Sequence, residues 1–211
     1  MDRMGKHPYV VKPWHIELFG GPICVGDHVT LLASSDKKTR LTVWSDKIDI
    51  TGIVIGDHVL ISPGVRISAA QEIIISDNCM IASGAYITDS DWHGIYDRSL
   101  PPDTACPVKL EPNVWIGDSA IVCKGVTIGE NSIIGAGAVV SSNIPPGSIA
   151  VGNPARVVKT LDPDRQIITR KDRFSDADRI TMLLDAHERE LLKDNTLWGW
   201  IRHLIRPTRQ D

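Results

Sequence analysis

The sequence predicts an all-β solenoid, in which short parallel strands wind into a stacked coil, followed by an α-helical extension. Aliphatic residues recur at every sixth position over much of the chain. Small or β-branched residues mostly occupy the position four later. Near residue 160 this period stops, and apolar residues then recur at helical spacing.

The repeat is most regular from residue 110 onward. Apolar positions return every 3.6 residues on a helix and every second residue on a strand, so a period of six fits neither. Three such units make one triangular turn, and turns stack at the strand spacing of about 4.8 Å. The aliphatic series is Leu110, Ile116, Val122, Ile128, Ile134 and Val140, and the series four later is Val114, Ala120, Val126, Ser132, Ala138 and Ile144.

The same phase is present earlier in the chain, with one displacement. Ile55, Ile61, Ile67 and Ile73 are followed by Ile75, Ile81 and Ile87, which indicates an insertion within residues 68–74. Upstream, Lys37 and Asp49 occupy aliphatic positions, so the first turns are irregular. We therefore predict an N-terminal segment over residues 1–22, the coil over 23–160 and a helical extension over 161–211.

Composition limits the class of protein. The 211 residues carry a formal net charge of −3 without a dense basic run, so no nucleic-acid partner is expected. No apolar run is long enough to span a membrane and no export signal is recognisable, so we expect a cytoplasmic location. The four cysteines show no paired spacing, which argues against disulfides or a zinc site. Cys79 is expected to fill the core and Cys123 to point outward.

The C-terminal region predicts two amphipathic helices. A helix is expected to begin at Ser175, a capping residue. A second is expected from Leu197 to Ile205. We favour packing of this extension on the coil or on a neighbouring subunit, because solenoid ends need caps. A weak contact of Trp198 and nearby basic residues with an anionic membrane surface is the alternative. The apolar side of the first helix is Ile180, Leu183, Leu184, His187, Leu191 and Leu192.

Five motifs accompany the repeat: NVWIG at 113–117, GVTIG at 125–129, IGAGAVV at 134–140, IPPGS at 144–148 and GNPARV at 152–157. Together they resemble the left-handed parallel β-helix acyltransferases, and most of all the sugar O-acetyltransferase branch. The resemblance covers roughly residues 20–160. It implies a left-handed coil, direct transfer from acetyl-CoA without an acyl-cysteine or a metal, and a homotrimer that binds the donor between neighbouring subunits.

The repeat is interrupted between Ile87 and Leu110, so residues 92–109 are expected to leave the coil as a loop. The resemblance implies that His93, where the chain departs, is the general base. Asp91 occupies the inward position four after Ile87 and is expected to hold the imidazole in its tautomer, with Asp89 as the alternative. His93 as an ordinary loop histidine and Asp91 as a turn-capping residue remain the competing interpretations.

The donor site involves small and basic residues. Gly117, Gly135, Ala136 and Gly137 are expected to leave an outer surface with little bulk, where a pantetheine arm can approach the backbone. Trp115 should point outward, either as a wall of this groove or as a subunit contact.

The coenzyme's phosphates need cations. The resemblance implies that Arg156 and Lys159 bind them, although two solvated cations are the simpler interpretation. Ser141 and Ser142 stand where many relatives have Thr-Lys, which removes one expected phosphate contact.

The predicted function is acetyl-CoA-dependent O-acetylation of a carbohydrate or sugar-nucleotide hydroxyl in surface polysaccharide or lipopolysaccharide biosynthesis. One alternative is an N-acyltransferase acting on an amino-sugar nucleotide. Two alternatives of other classes are a metal-dependent hydratase of the γ-carbonic anhydrase type, which needs three clustered histidines, and a non-catalytic hexapeptide-repeat scaffold.

Overall fold

In the computed structural model, the described residues are 1–45, 47, 49–99, 105–174 and, beyond these, 182, 186, 189–190, 193, 196–198 and 201–202. The chain divides into two units, Met1–Thr169 and Arg170–Asp211. The regular secondary structure described in the first unit is short strands and one 3₁₀ helix, and the helical residues of the chain's C-terminal part belong to the second unit.

Twenty strands are described in the first unit. In chain order they are β1 (Arg3–Met4), β2 (Tyr9–Val11), β3 (Ile16–Phe19), β4 (Ile23–Val25), β5 (Thr30–Leu32), β6 (Thr39–Val43), β7 (Gly52–Ile55), β8 (Leu60–Ile61), β9 (Arg66–Ala69), β10 (Glu72–Ile75), β11 (Met80–Ile81), β12 (Tyr86–Thr88), β13 (Val108–Leu110), β14 (Trp115–Ile116), β15 (Ile121–Val122), β16 (Thr127–Ile128), β17 (Ile133–Ile134), β18 (Val139–Val140), β19 (Ser148–Val151) and β20 (Arg156–Thr160). A 3₁₀ helix, Pro13–His15, precedes β3.

Every third strand joins the same sheet, which makes a three-sided parallel coil. The first sheet has the order β1-β4-β7-β10-β13-β16, the second β2-β5-β8-β11-β14-β17-β19-β20, and the third β3-β6-β9-β12-β15-β18. Pairing is parallel throughout these sheets except between β19 and β20, which are antiparallel. We call the bends after the first, second and third sheets the first, second and third corners.

The strand register confirms the six-residue repeat and locates its irregularities. Ile116 pairs with Ile134, 18 positions later, as three units of six require. Ile53 pairs with Ile73, 20 positions later, which confirms the predicted two-residue insertion. Ile73 pairs with Val108, 35 positions later, so a whole loop is inserted between those turns.

The core consists of the residues that the repeat points inward. The six aliphatic residues at sixfold spacing from Leu110 to Val140 are all 0% exposed. Cys79 is fully buried, as predicted, and its Sγ lies 3.2 Å from the carbonyl oxygen of Glu111. Burial raises the pKa of the Cys79 thiol to about 12, so this cysteine carries almost no thiolate near neutral pH.

The coil begins earlier than the predicted boundary at residue 23. Strands β1, β2 and β3 pair in parallel with β4, β5 and β6, so the N-terminal segment is the first turn. Val10 pairs with Leu31, 21 positions later, and Leu18 with Leu41, 23 positions later. Extra residues at the corners therefore remove the six-residue period from this region, although the strands still stack.

The first corner carries a column of residues with left-handed backbone. The members are His7, His28, His58, Asn78, Asn113 and Asn131, with φ between 52° and 63°. His7 and His28 stack with their ring centroids 5.1 Å apart, and His28 and His58 stack at the same spacing. The two GDHV histidines thus occupy equivalent corners, as the repeat predicts. Within the described residues no group of three or more His, Cys, Asp or Glu side chains is arranged to hold a metal ion.

The second unit includes one described helix, α1 (Arg170–Phe174). The predicted cap Ser175 and the apolar series from Ile180 to Leu192 lie outside the described residues. Leu197 and Trp198 are helical and exposed, at 73% and 78%. No helix in the described part of the chain is long and apolar enough to cross a bilayer. Capping by this extension stays a prediction.

Close stacking of the turns can be tested at Gly117, which is buried. A Cβ at this position would lie 2.6 Å from the backbone nitrogen of Ala136 and 2.6 Å from the carbonyl oxygen of Ile134. We expect Gly117→Ala to lower the free energy of unfolding by about 2–3 kcal/mol, because backbone atoms of the next turn must move. Urea unfolding measures the change.

Gly147→Ala is the matched control. A Cβ there meets nothing within 4 Å, and only its φ of 62° opposes a side chain. We expect this control substitution to lower the free energy of unfolding by about 1 kcal/mol. A Gly117→Ala cost no larger than that of the control would contradict the close stacking.

Candidate active site

The inserted loop leaves the coil at the third corner, directly after β12. Asp89 and Ser90 are buried, whereas His93 and residues 95–99 are exposed. The backbone N–H of Cys106 donates to the Asp89 carbonyl oxygen at 2.9 Å, which closes the base of the loop. The N–H of Gly125, on the next turn, donates to the Cys106 carbonyl oxygen at 2.9 Å. The predicted departure of the chain here is confirmed, and residues 100–104 lie outside the described residues.

Asp89 is the buried carboxylate at this corner, with 0% of its surface exposed. Its Oδ1 accepts a hydrogen bond from the N–H of Ala70, and its Oδ2 accepts from Gln71 and Glu72, all at 2.7 Å. These donors belong to residues 68–74, the segment that contains the two-residue insertion. Asp89 therefore accepts the hydrogen bonds of the backbone N–H groups in the irregular turn below it. It has this structural role and does not orient His93 in this structure.

Asp91 does not occupy the predicted inward position. Its side chain is 49% exposed and forms an ion pair with the Lys124 ammonium. The inward position is two after Ile87, at Asp89, just as Ala69 is buried two after Ile67 on the turn below. Strand alternation of period two continues past β12 because the corner does not form where the sixfold pattern expects it.

The Asp91–Lys124 pair sets the charge at the base of the loop. The hydrogen bond to Asp91 raises the pKa of the Lys124 ammonium. The pKa of the neighbouring Cys123 thiol is raised by burial and, to a smaller extent, by Asp91. Cys123 is half-buried and lacks the features of a reactive thiolate.

His93 is exposed on the loop, beyond the buried residues of the corner. Within the described part of the chain it makes no hydrogen bond, so neither Asp91 nor Asp89 orients its imidazole in this structure. An exposed imidazole is accessible to a substrate hydroxyl. Its role as a general base stays a prediction.

Two aromatic residues beside the loop were not identified from the sequence. The indole Nε1 of Trp92 donates to the Tyr86 hydroxyl at 3.2 Å, and the Arg66 guanidinium lies 4.3 Å from the centroid of the Tyr86 ring. The available signal was an aromatic residue one position before Ile87, the last aliphatic residue of the repeat before the interruption. An outward position in a repeat does not by itself indicate such a contact.

The predicted donor residues lie partly on an open surface at the second corner. Ala136 and Gly137 are exposed, and a Cβ at Gly137 would meet nothing within 4 Å. The prediction that Gly117 adds to this surface is wrong, because it is buried under the next turn. A Cβ at Gly135 would lie 2.6 Å from the Val151 side chain. Only Ala136 and Gly137 give the expected open approach to the backbone.

Arg156 is exposed at the same corner. It pairs with Val151 at the start of β20, and its Nη1 donates to the Ala155 carbonyl oxygen at 2.9 Å. The N–H of Ala155 donates to the Val139 carbonyl oxygen at 2.8 Å, which fixes the turn beside the third sheet. The turn that precedes Arg156 therefore lies at the same corner as Ala136.

Lys159 and Trp115 share one outward row on the second sheet. Trp115 is 45% exposed and pairs with Ile133, which pairs with Ile149, and Ile149 pairs with Lys159. The outward orientation of Trp115 is thus as predicted. Arg156 is the first residue of β20 and Lys159 the fourth, so the two cations lie three positions apart along the strand.

Ser141 and Ser142 are exposed directly after β18, at the third corner. They lie two turns above the strand from which the His93 loop departs, since β12, β15 and β18 are consecutive in the third sheet. The predicted site residues therefore fall in three places: the third corner with His93 and the serines, the second corner with Ala136 and Arg156, and the outer face of the second sheet.

Part of the chain matches a known family model. Residues 107–142 match the model described as bacterial transferase hexapeptide (six repeats). A Staphylococcus aureus protein that carries the name "Putative acetyltransferase" is 36% identical over 124 residues, which cover 52% of this chain and 62% of that protein. The chain thus spans less than two thirds of the length of that relative.

Two solved structures share the fold. A galactoside acetyltransferase in complex with coenzyme A is 28% identical, with a TM-score of 0.50, over 60% of this chain and 72% of that one. The N-acyltransferase AntD from Bacillus cereus, in complex with dTDP and 3-hydroxybutyryl-CoA, is 19% identical, with a TM-score of 0.59, over 88% of this chain and 91% of that one. The predicted left-handed parallel β-helix and the resemblance to hexapeptide-repeat acyltransferases are confirmed.

The structural role of Asp89 leads to a stability prediction. Asp89→Ala removes the acceptor for three N–H groups at the base of the loop, and we expect the free energy of unfolding to fall by about 2–4 kcal/mol. Asp91→Ala removes an exposed ion pair and should change it by no more than about 0.5 kcal/mol. Urea unfolding of both variants makes the comparison, and equal costs would show that Asp89 does not hold the irregular turn.

Proposed function

We propose that this chain transfers an acetyl group from acetyl-CoA to a hydroxyl group of a carbohydrate or sugar nucleotide, with His93 as the general base. The observation that carries the proposal is the exposed His93 on the single long loop that interrupts the described coil. The repeat at residues 107–142, the acetyltransferase name of the relative and the coenzyme A complex of the galactoside acetyltransferase support it.

The chemistry needs one proton acceptor. The His93 imidazole removes the proton of the acceptor hydroxyl while the hydroxyl oxygen attacks the thioester carbonyl carbon of acetyl-CoA. The carbon–sulfur bond then breaks, and the imidazolium returns the proton to the coenzyme thiolate, which leaves as a thiol. A positioned base of this kind contributes about 10² to 10⁴ in rate. The buried Cys79 and the half-buried Cys123, both with raised thiol pKa values, are poor candidates for an acyl-cysteine.

The donor would lie along the open surface at Ala136 and Gly137, with Arg156 near its phosphates. Arginine offers paired N–H donors that suit phosphate oxygens. Other proposed contacts of the donor are Trp115, Lys159, Ser141 and Ser142. Gly117 is buried and is not proposed as a contact.

We further propose that the active enzyme is a homotrimer. Within one chain, His93 extends from the third corner, whereas Ala136 and Arg156 lie at the second. An acetyl-CoA molecule that contacts both corners would most directly lie between two copies of the chain. One copy would supply His93, and the other would supply Ala136 and Arg156 of the second corner. The predicted role in surface polysaccharide or lipopolysaccharide biosynthesis and the cytoplasmic location also stay predictions.

Substitution of His93 tests the proposed base. We expect His93→Ala to lower kcat for acetyl transfer by about 10² to 10⁴, with the KM for acetyl-CoA little changed, because the base acts in the transition state. The assay monitors free thiol release with a panel of sugar and sugar-nucleotide acceptors. His7→Ala, at an exposed histidine of the first corner, is the control and should keep the wild-type rate.

The same panel separates the alternatives. Wild-type turnover by His93→Ala would refute the assignment of the base. Faster acetylation of an amino-sugar nucleotide than of any hydroxyl acceptor would replace O-acetylation by N-acylation. Absence of acetyl-CoA binding to the wild-type chain would favour a non-catalytic scaffold.

A further inference from the structure

The residue before His93 has an unfavourable backbone conformation. Trp92 has φ 67°, in the left-handed region that side chains of this size rarely adopt. Such a conformation is strained and persists only where surrounding contacts hold it. The Trp92 N–H donates to the Ser90 Oγ at 3.2 Å, and the residue is half-buried although its neighbours 91 and 93 are exposed.

The second contact of Trp92 reaches the coil itself. Its indole Nε1 donates to the Tyr86 hydroxyl at 3.2 Å. Tyr86 is the first residue of β12, which pairs with β9 below and β15 above, and its N–H donates to the Ala120 carbonyl oxygen at 2.9 Å. The phenol therefore belongs to a strand held on both sides, whereas Trp92 belongs to the loop.

Arg66 fixes the Tyr86 ring from the turn below. Its guanidinium carbon lies 4.3 Å from the ring centroid, a cation–π distance, and Arg66 pairs with Tyr86 in the parallel register. The neighbouring cation of the same row, Arg40, bonds to Glu17 at 2.6 Å instead. Arg66, Tyr86 and Trp92 thus form a continuous chain of contacts from the third sheet to the residue before His93.

We infer that Tyr86 is a positioning residue for His93, acting through its hydrogen bond to Trp92. This inference rests on the proposed function, because it gives Tyr86 a role only if His93 is the base. A general base must lie within about 2.6–3.2 Å of the proton donor, and a displacement of about 1 Å can cost as much as 10² in rate. Because His93 forms no hydrogen bond to a described side chain, the position of its imidazole depends on the backbone of Trp92.

The hydroxyl of Tyr86 can be removed without removing its ring. Tyr86→Phe keeps the ring surface under Arg66 and deletes only the hydroxyl that accepts the hydrogen bond of the Trp92 indole Nε1–H. We expect kcat to fall about 10-fold while the KM for acetyl-CoA and the urea midpoint stay at wild-type values. Trp92→Phe deletes the donor of the same bond and should give a similar loss. Tyr9→Phe, in the first turn, is the matched control and should leave all three quantities unchanged.

A double-substitution experiment distinguishes positioning from direct contact with substrate. In the His93→Ala background, Tyr86→Phe should leave the residual rate unchanged, because residues that act as one unit are not additive. A further fall of the residual rate would overturn the inference, as would wild-type kcat in Tyr86→Phe alone. If His93→Ala itself keeps wild-type turnover, the proposed function fails first, and that result is separate from any effect of Tyr86.

Discussion

Successive turns of this coil bond to each other through parallel strands of two to five residues, so each turn must return the chain to the same place one strand spacing higher. The buried aliphatic residues at sixfold spacing make this possible, because each one packs on its equivalents in the turns above and below. Within a strand, a shift by one residue would turn inward side chains outward. The residues beyond the 18 of a regular turn therefore lie at corners, where the chain can leave the stack and return.

Two such additions meet at the third corner. The two-residue insertion of the turn that contains β9 and β10 lies directly below the long loop that follows β12. Asp89, at the start of the loop, accepts hydrogen bonds from the N–H groups of Ala70, Gln71 and Glu72. One buried carboxylate therefore satisfies the irregular backbone below it and begins the segment that carries His93. The hydrogen bonds of the coil thus continue to the base of the loop, and the Tyr86–Trp92 hydrogen bond reaches the residue before His93.

The sequence was sufficient wherever residues follow the period of six. The core from Leu110 to Val140, the displacement near residue 70 and the departure of the chain after Ile87 were all predictable, since burial enforces that period. The first turn was missed because the longer corners between β1 and β6 remove the period while the strands still pair.

Predictions for single side chains failed where a local rule replaced the repeat. Asp91 was expected to point inward by counting six-residue units, but strand alternation continues past β12 and puts Asp89 there instead. The sequence predicts an open surface at Gly117, but close packing of the next turn explains why this position lacks a side chain. The Tyr86–Trp92 bond depends on how the loop folds back against the third sheet, which no spacing in the sequence encodes.

We propose that the third corner of one subunit and the second corner of its neighbour together make the reaction site. A crystal structure of the protein with bound coenzyme A tests this most directly. We predict a trimer in which the coenzyme's phosphates lie near Arg156 of one copy and its sulfur lies beside His93 of the next. Coenzyme bound with its sulfur remote from every His93, or held entirely by one chain, would contradict the account.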